Sequence, residues 1–296
     1  MGCVLPPGRG CFAGLEVSDM LRHNMEELRD LLVNGNPEVA LDVAALQVAT
    51  IEHPDLPVEP FVHLLDSHAN ELRERLEDDT EGDVFVELLN DYLVDELGFR
   101  GNDEDYYHPD NSCLSEVLAE RVGIPITLSI VYMEIARRLD RPVYGIGLPG
   151  HFLIEYNDGD YSTYLDPFHG GRLLTAEECC ELSREITGID ISRDPGALQP
   201  VSRRHIIIRM LNNLRAVYFR RNEPAKAVRV LDFLIESDPG SAEEYKQRGI
   251  CQAQVKAYEA ARTDLETYLR LSPRAHDRKD VEDQIEKMKR WLAARS

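Results

Sequence analysis

Alternating apolar and polar positions near the middle of the chain predict a β-hairpin. Residues 152–156 and 161–165 have the composition of strands, and residues 157–160 (Asn-Asp-Gly-Asp) form a strong turn sequence between them. If the turn is centred on Asp-Gly, Phe152 pairs with Leu165, and His151 pairs with Asp166. A preceding apolar stretch, residues 142–147, adds a strand, so we expect a small antiparallel sheet.

Apolar residues at helical spacing predict a helix on which this sheet packs. They recur at spacings of three, four and four, at Leu128, Val131, Ile135 and Leu139. Pro125 leads into this helix, and Thr127 is its predicted N-cap. Three earlier helices are predicted: one after Asn36-Pro37, one at about 58–76, and one at 83–97 that ends at Gly98.

The last third of the chain repeats with a period of 34 residues. The repeated positions are Ala227 and Ala261, Leu231 and Leu265, and Pro239 and Pro273. This is the period of tetratricopeptide helix pairs. Two repeats are predicted, at about 208–241 and 242–275, with a capping helix at 277–294. We expect them to dock on the middle of the chain and to share its core.

The predicted pairing places an imidazole beside a carboxylate. Directly opposed residues of a hairpin have Cβ atoms about 4.5–5.5 Å apart, so His151 and Asp166 are expected to form a hydrogen bond. A carboxylate fixes the tautomer of a histidine and raises its basicity, as in the orienting half of a catalytic triad. The same pair can also simply tie two strand ends together, and both interpretations stay open.

The nucleophile of such a triad is missing from its expected place. A thiol at the start of the helix after Pro125 would be activated by the helix dipole, but the chain has Thr127 and Ser129 there. Cys113 lies 14 residues before Thr127, too far along the chain for the same structural position. Cys113 and Ser129 are therefore alternative candidate nucleophiles. Cys113 is also interpretable as a small core residue.

The chain resembles the SirB-type transglutaminase-like proteins with C-terminal tetratricopeptide repeats. The matching segments include residues 97–102, 105–109, 111–112, 123–129, 136–139, 145–153 and 166–168, and the resemblance extends from about residue 35 to the end. It implies a papain-like core in which a cysteine opens a helix, a histidine opens a strand and an aspartate lies on the next strand. His151 and Asp166 match the last two positions. Asn111, in a matched segment, is a candidate binding residue.

Together these features predict an α+β, mostly helical protein with a transglutaminase-like, papain-like core and a small antiparallel sheet, followed by tetratricopeptide α-hairpins. The expected divisions are a disordered extension at 1–17, a helical region at 18–98, the core at 99–200 and the repeats with their capping helix at 201–296.

Charge and cysteine content restrict the function classes. The 296 residues carry a net charge of −21, which repels nucleic acid and anionic membranes. No apolar run approaches the length of a transmembrane helix. The six cysteines are scattered, which suggests reduced thiols and a cytoplasmic protein. His108, His151 and His169 lack a metal-ligand spacing, so neither metal nor cofactor is expected.

A basic helix face suggests a partner. The predicted concave face of the repeats includes Arg209, Asn212, Arg220 and Lys246. These residues are basic or polar in an acidic protein, so an acidic protein or peptide segment is a possible ligand. Solvated helix residues without a binding role have the same composition, so this alternative stays open. Two hypotheses follow: a non-catalytic binding protein, favoured by the missing cysteine, or a cysteine- or serine-type hydrolase or acyltransferase that uses His151 and Asp166 with a displaced nucleophile.

Overall fold

The computed structural model describes residues 25–77 and 79–294. The predicted extension at 1–17, with Cys3 and Cys11, lies outside the described residues. The first helices are α1 (Glu26–Arg29, continued by the π-helical segment Asp30–Asn34), α2 (Leu41–Ala49), α3 (Glu59–Arg73) and α4 (Gly82–Asn90, continued by the π-helical segment Asp91–Glu96). The three predicted helices are present. However, α2 begins at Leu41, because Asn36 accepts a hydrogen bond from the Glu38 backbone in a turn.

The middle region contains a four-stranded sheet that packs on one helix. Its elements are β1 (Arg100–Gly101), a 3-10 helix (Pro109–Ser112), α5 (Leu114–Glu120), β2 (Val122–Gly123), α6 (Pro125–Arg138), β3 (Val143–Leu148), β4 (His151–Asn157), β5 (Ser162–Asp166), a 3-10 helix (Pro167–His169), β6 (Arg172–Leu174) and α7 (Ala176–Thr187). Strands β3, β4, β5 and β6 are antiparallel neighbours in that order, and β3 and β4 contact α6. The predicted small sheet on the helix is confirmed.

The hairpin register differs from the prediction by two residues. Ile154 pairs with Leu165, and Asn157 pairs with Ser162, which leaves a four-residue loop instead of a two-residue turn. The loop is held by Asp158, whose Oδ1 accepts the backbone N–H groups of Asp160 and Tyr161 at 3.0 and 2.8 Å. Because side chains alternate between faces, a shift of two residues keeps every side chain on its expected face.

The start of α6 also differs from the prediction. Its N-cap is the extended residue Ile124, and Thr127 lies inside the first turn. The Thr127 hydroxyl accepts a hydrogen bond from the Ile124 backbone N–H at 3.2 Å. Thr127 therefore caps the helix from its third position, and Pro125 at the first position has no N–H group that needs a partner.

The C-terminal helices form the two predicted hairpins and the capping helix. They are α8 (Arg203–Arg221), α9 (Pro224–Ser237), α10 (Ala242–Gln254), α11 (Tyr258–Leu271) and α12 (Arg278–Ala293). Buried residues of α8 and α9 belong to the same hydrophobic core as α1 to α6 and the sheet, whereas α11 and α12 form a smaller core of their own. The α+β, mostly helical fold is confirmed, and so is the sharing of the core by the first repeat.

Candidate functional site

His151 and Asp166 are hydrogen-bonded where strands β4 and β5 meet the 3-10 helix. His151 Nε2 lies 2.8 Å from Asp166 Oδ2, and the two residues are only 5% and 2% exposed. His151 opens β4 directly after Gly150, whose φ of 72° turns the chain from β3. In the observed register Asp166 is a diagonal neighbour of His151 rather than its opposite, a distance that long side chains still span.

A second histidine binds the same carboxylate oxygen. His169 Nδ1 lies 2.7 Å from Asp166 Oδ2, and Asp166 Oδ1 accepts the backbone N–H groups of Phe168 and His169 at 3.1 and 3.4 Å. Burial raises the pKa of Asp166, but the hydrogen bonds from His151 and then His169 outweigh it, so the pKa lies below its usual value. The carboxylate is therefore ionised and fixed in orientation. The spacing of the histidines in the sequence did not predict this contact of His169.

Two consecutive glycines hold His169 in this position. Gly170 and Gly171 both have a left-handed φ of 69°, and the Gly171 N–H donates to the Asp166 carbonyl at 2.8 Å. A Cβ on Gly171 would lie 1.4 Å from Asn90 Oδ1, whereas a Cβ on Gly170 would meet open space. The turn thus returns the chain into β6 with His169 beside Asp166.

The residues at the start of α6 are not arranged as nucleophiles. The Thr127 hydroxyl is buried and donates to the Asn111 carbonyl at 2.7 Å. Ser129 is also fully buried, and its hydroxyl has no hydrogen-bond partner among the described residues. A buried hydroxyl without a base to take its proton has little nucleophilicity.

Cys113 lies in a different group of side chains. Its Sγ is within 4.8 Å of ligand atoms of His53 and Asp110, and it contacts the Pro109 carbonyl at 3.5 Å. Burial, followed by the charge of Asp110, raises the pKa of the Cys113 thiol well above its usual value. The expected core position of Cys113 fits this structure, whereas an activated thiolate does not.

Asn111 has a structural role in the loop before α5. Its side-chain NH2 donates to the carbonyls of Asp105 and Tyr106 at 2.7 and 3.1 Å, and its Oδ1 accepts from Asn102 at 3.0 Å. With its carbonyl bound to Thr127, Asn111 joins this loop to the start of α6. All these polar groups are satisfied internally.

The four residues of the predicted concave face are dispersed. Arg209 donates to the His151 carbonyl, its guanidinium lies 5.4 Å from the Phe152 ring, and burial lowers its pKa. Lys246 is paired with Asp277, and Asn212 is half-buried. Arg220 is exposed and lies 3.8 Å above the Tyr107 ring. Of the four, Arg209 reaches the His151 region.

The sequence of this chain is similar to known proteins along most of its length. A family model described as the transglutaminase-like superfamily matches residues 59–212, and a tetratricopeptide repeat model matches residues 214–286. A UPF0162 protein of Xylella fastidiosa (strain 9a5c) is 36% identical over 236 residues, which are 79% of this chain and 84% of that protein. The chain belongs to the UPF0162 family of transglutaminase-like proteins.

Other relatives are similar to this chain over different lengths. The UPF0162 protein of Pseudomonas aeruginosa is 32% identical over 234 residues, 79% of this chain and 85% of that protein. F-box only protein 21 of Mus musculus is 38% identical over 103 residues, which are 32% of this chain and 16% of that protein. The two family models meet inside α8, so this helix contributes to both modules.

A groove that the sequence did not predict lies between the first helices of the two repeats. It has a volume of about 220 Å³ and is lined by Tyr218, Phe219, Asn222, Glu223, Pro224, Gln247, Ile250, Cys251 and Gln254. Phe219 and Ile250 are 41% and 38% exposed. The Gln247 side-chain oxygen is buried without a hydrogen-bond partner in the described part of the chain. The sequence feature that could have indicated this groove is the presence of large apolar residues at solvent-facing helix positions.

Proposed function

We propose that this UPF0162 protein is a non-catalytic transglutaminase-like protein that binds a peptide or protein partner through its repeats, as the SirB-type resemblance implies. The observation that carries the proposal is the position that opens α6. There Thr127 is buried and hydrogen-bonded to Asn111, and the nearest cysteine along the chain, Cys113, is a buried thiol with a raised pKa. Acyl transfer requires an exposed, activated nucleophile, and these residues do not supply one.

The groove between α8 and α10 supports a peptide as the ligand. Phe219 and Ile250 present apolar surface for a side chain, and the unpaired Gln247 oxygen can accept a hydrogen bond from a backbone N–H. Exposed apolar surface beside polar groups is typical of binding sites. Tetratricopeptide repeats commonly bind extended peptides across the first helices of their pairs, and α8 and α10 are those helices.

Arg220 supports an acidic partner segment. Of the predicted basic residues, Arg209 and Lys246 have internal partners, whereas Arg220 is exposed and makes no ion pair with any described residue. Its stacking on Tyr107 holds the guanidinium in place and leaves its edge N–H groups for a carboxylate. In a chain of net charge −21, such a residue is a selective contact for an acidic segment.

Selection from a displayed peptide library tests the binding proposal. We expect the full-length protein to enrich a peptide family with an apolar anchor, and Ile250→Asp to weaken binding of those peptides at least about tenfold, or about 1.4 kcal/mol. Val255→Asp is the matched control, because Val255 is 43% exposed and follows the same helix without lining the groove. A library that yields no enriched family, or equal losses for both variants, would refute the proposal.

The second candidate function is a hydrolase or acyltransferase with a displaced nucleophile. The hydrogen bond of 2.8 Å between His151 and Asp166 favours it, because this geometry orients an imidazole as a base. Separate treatment of the folded protein with a thiol-reactive probe and a fluorophosphonate, followed by peptide mapping, distinguishes the two functions. We expect no modification of Cys113 or Ser129. Rapid modification of either one, lost in His151→Ala, would demonstrate an activated nucleophile and favour the enzyme over the non-catalytic protein.

We propose that the protein acts in the cytoplasm and binds neither nucleic acid nor membrane. The four cysteines within the described residues are unpaired, and the net charge is −21. Among residues 25–77 and 79–294, no helix combines the length and apolar content needed to cross a bilayer. Fractionation of cells that produce the protein, with measurement of its thiol redox state, tests this assignment.

A further inference from the structure

Three donor side chains converge where β4, β5 and the 3-10 helix Pro167–His169 meet. His151, Asp166 and His169 each offer one ligand atom, and these three atoms lie within 4.8 Å of one another. We propose that these three residues bind a divalent transition-metal ion of the Zn²⁺ class. This inference goes beyond the partner-binding function and does not depend on it.

The chemistry of the donors suits such an ion. Two imidazole nitrogens and one carboxylate oxygen are ligands that Zn²⁺ takes in sites with three protein ligands and an open position. His151 and Asp166 are nearly buried, whereas the His169 side chain is 49% exposed, so the remaining coordination position faces solvent. Asp166 binds through one oxygen, because its Oδ1 is occupied by two backbone N–H groups.

The distances require only a small adjustment. Without an ion, both imidazoles donate to Asp166 Oδ2, at 2.8 Å from His151 and 2.7 Å from His169. A tetrahedral Zn²⁺ with bonds of about 2.0–2.1 Å separates its donor atoms by about 3.4 Å, so the two histidine–aspartate distances each widen by about 0.6 Å. Ordinary thermal displacements reach about 0.9 Å. The two imidazole ring centroids, 5.7 Å apart, already have a separation compatible with shared coordination.

The backbone around the donors is fixed in advance of binding. Asp166 caps the 3-10 helix that carries His169, and Gly171 donates to the Asp166 carbonyl. On the other side, Arg209 donates to the His151 carbonyl. Supporting contacts of this kind orient metal ligands and strengthen binding. To coordinate an ion, each imidazole must carry its proton on the other ring nitrogen, so binding changes the tautomer of both histidines and replaces their hydrogen bonds to Asp166.

A second group of donors provides an internal comparison. His53, Asp110 and Cys113 also offer three atoms within 4.8 Å. A thiol must lose its proton to become a metal ligand, and here burial and neighbouring carboxylates oppose that loss. We therefore assign the ion to the group of His151, Asp166 and His169, and we use His53 as the matched control.

Titration of the metal-free full-length protein with Co²⁺, which is a visible reporter for Zn²⁺, tests the proposal, with Zn²⁺ competition. We expect one Co²⁺ per chain with visible d–d absorption, displaced by Zn²⁺. His169→Ala should weaken Co²⁺ binding at least about tenfold, because it removes a metal ligand. Loss of a residue that only orients a ligand already weakens metal binding by about tenfold or more. The half-exposed position of His169 makes this variant compatible with folding, which circular dichroism verifies. His53→Ala should bind as the wild type does.

Three outcomes would overturn the metal site: absence of stoichiometric Co²⁺ binding to the wild type, unchanged affinity in His169→Ala, or loss of binding in His53→Ala. Asp166→Asn gives an independent second test, because it keeps the size of the side chain and removes the anionic ligand. Peptide selection on the repeat groove is scored separately with Ile250→Asp, so failure of the metal site and failure of the partner-binding function are distinguishable.

Discussion

Gly170 and Gly171 share a backbone conformation but differ in their surroundings, so alanine substitutions at the two positions separate backbone strain from steric contact. Both residues have φ of 69°, a left-handed value that costs an alanine about 1–2 kcal/mol. For Gly170→Ala this is the whole expected loss of unfolding free energy, because a Cβ there meets open space.

Gly171→Ala carries an additional cost from Asn90. The new Cβ would lie 1.4 Å from Asn90 Oδ1, so that side chain must move. Asn90 Oδ1 accepts a hydrogen bond from the buried Tyr132 hydroxyl at 2.8 Å, and leaving that hydroxyl without a partner costs about 1–3 kcal/mol. We expect Gly171→Ala to lose about 2–5 kcal/mol in total, at least about 1 kcal/mol more than Gly170→Ala.

Urea unfolding followed by circular dichroism measures this difference, with the denaturant slope as a check on cooperativity. The double variant Asn90→Ala/Gly171→Ala should lose less than the sum of the single losses, because Asn90→Ala removes the atom with which the Cβ collides. If Gly170→Ala and Gly171→Ala had equal effects, or if the double variant were strictly additive, the steric account of this turn would be wrong.

Three further outcomes are expected. In folded protein, Cys113 should resist alkylation at neutral pH, because burial raises its thiol pKa, while the partly exposed Cys180 reacts; mass spectrometry of the peptides measures both. Arg248→Met should cost about 3 kcal/mol in thermal unfolding, because it leaves a buried carboxylate, Asp264, without its guanidinium; a neutral result would contradict this. The Lys246 hydrogen bond lowers the pKa of Asp277 to about 2. The ionised Asp277 should therefore stabilise the fold fully above about pH 4 and lose this contribution as pH falls through about 2, which unfolding at several pH values measures.

The hairpin shows why sequence reasoning predicted the contact between His151 and Asp166 with the wrong register. The turn prediction treated Asp158-Gly159 as a two-residue turn, but the Asp158 side chain binds the backbone of the next residues and widens the loop to four. The error was an even number of residues, so His151 and Asp166 remained on the same face and in hydrogen-bond contact. An error of one residue would have separated them.

The role of His169 was not predictable from spacing. Its position depends on two consecutive left-handed residues, and the only sign in the sequence is the Gly170-Gly171 pair that follows it. Arg209 illustrates a different limit. Helical periodicity placed it on an open face of the repeats, but the first half of α8 packs against the core, so its guanidinium lies beside His151. Periodicity identifies which residues share a face and does not identify what covers that face.

The division of the repeats between two cores gives the C-terminal region a gradient of local stability. The helices α8 and α9 contribute to the main core, so their amides should open to hydrogen exchange only with the whole molecule. The helices α11 and α12 rest on a small separate core and should open earlier. Tyr245 and Ala253 of α10 pack against this small core, so a partner that bridges α8 and α10 should slow exchange in the last helices. Truncation before α8 would expose the part of the main core that α8 and α9 cover.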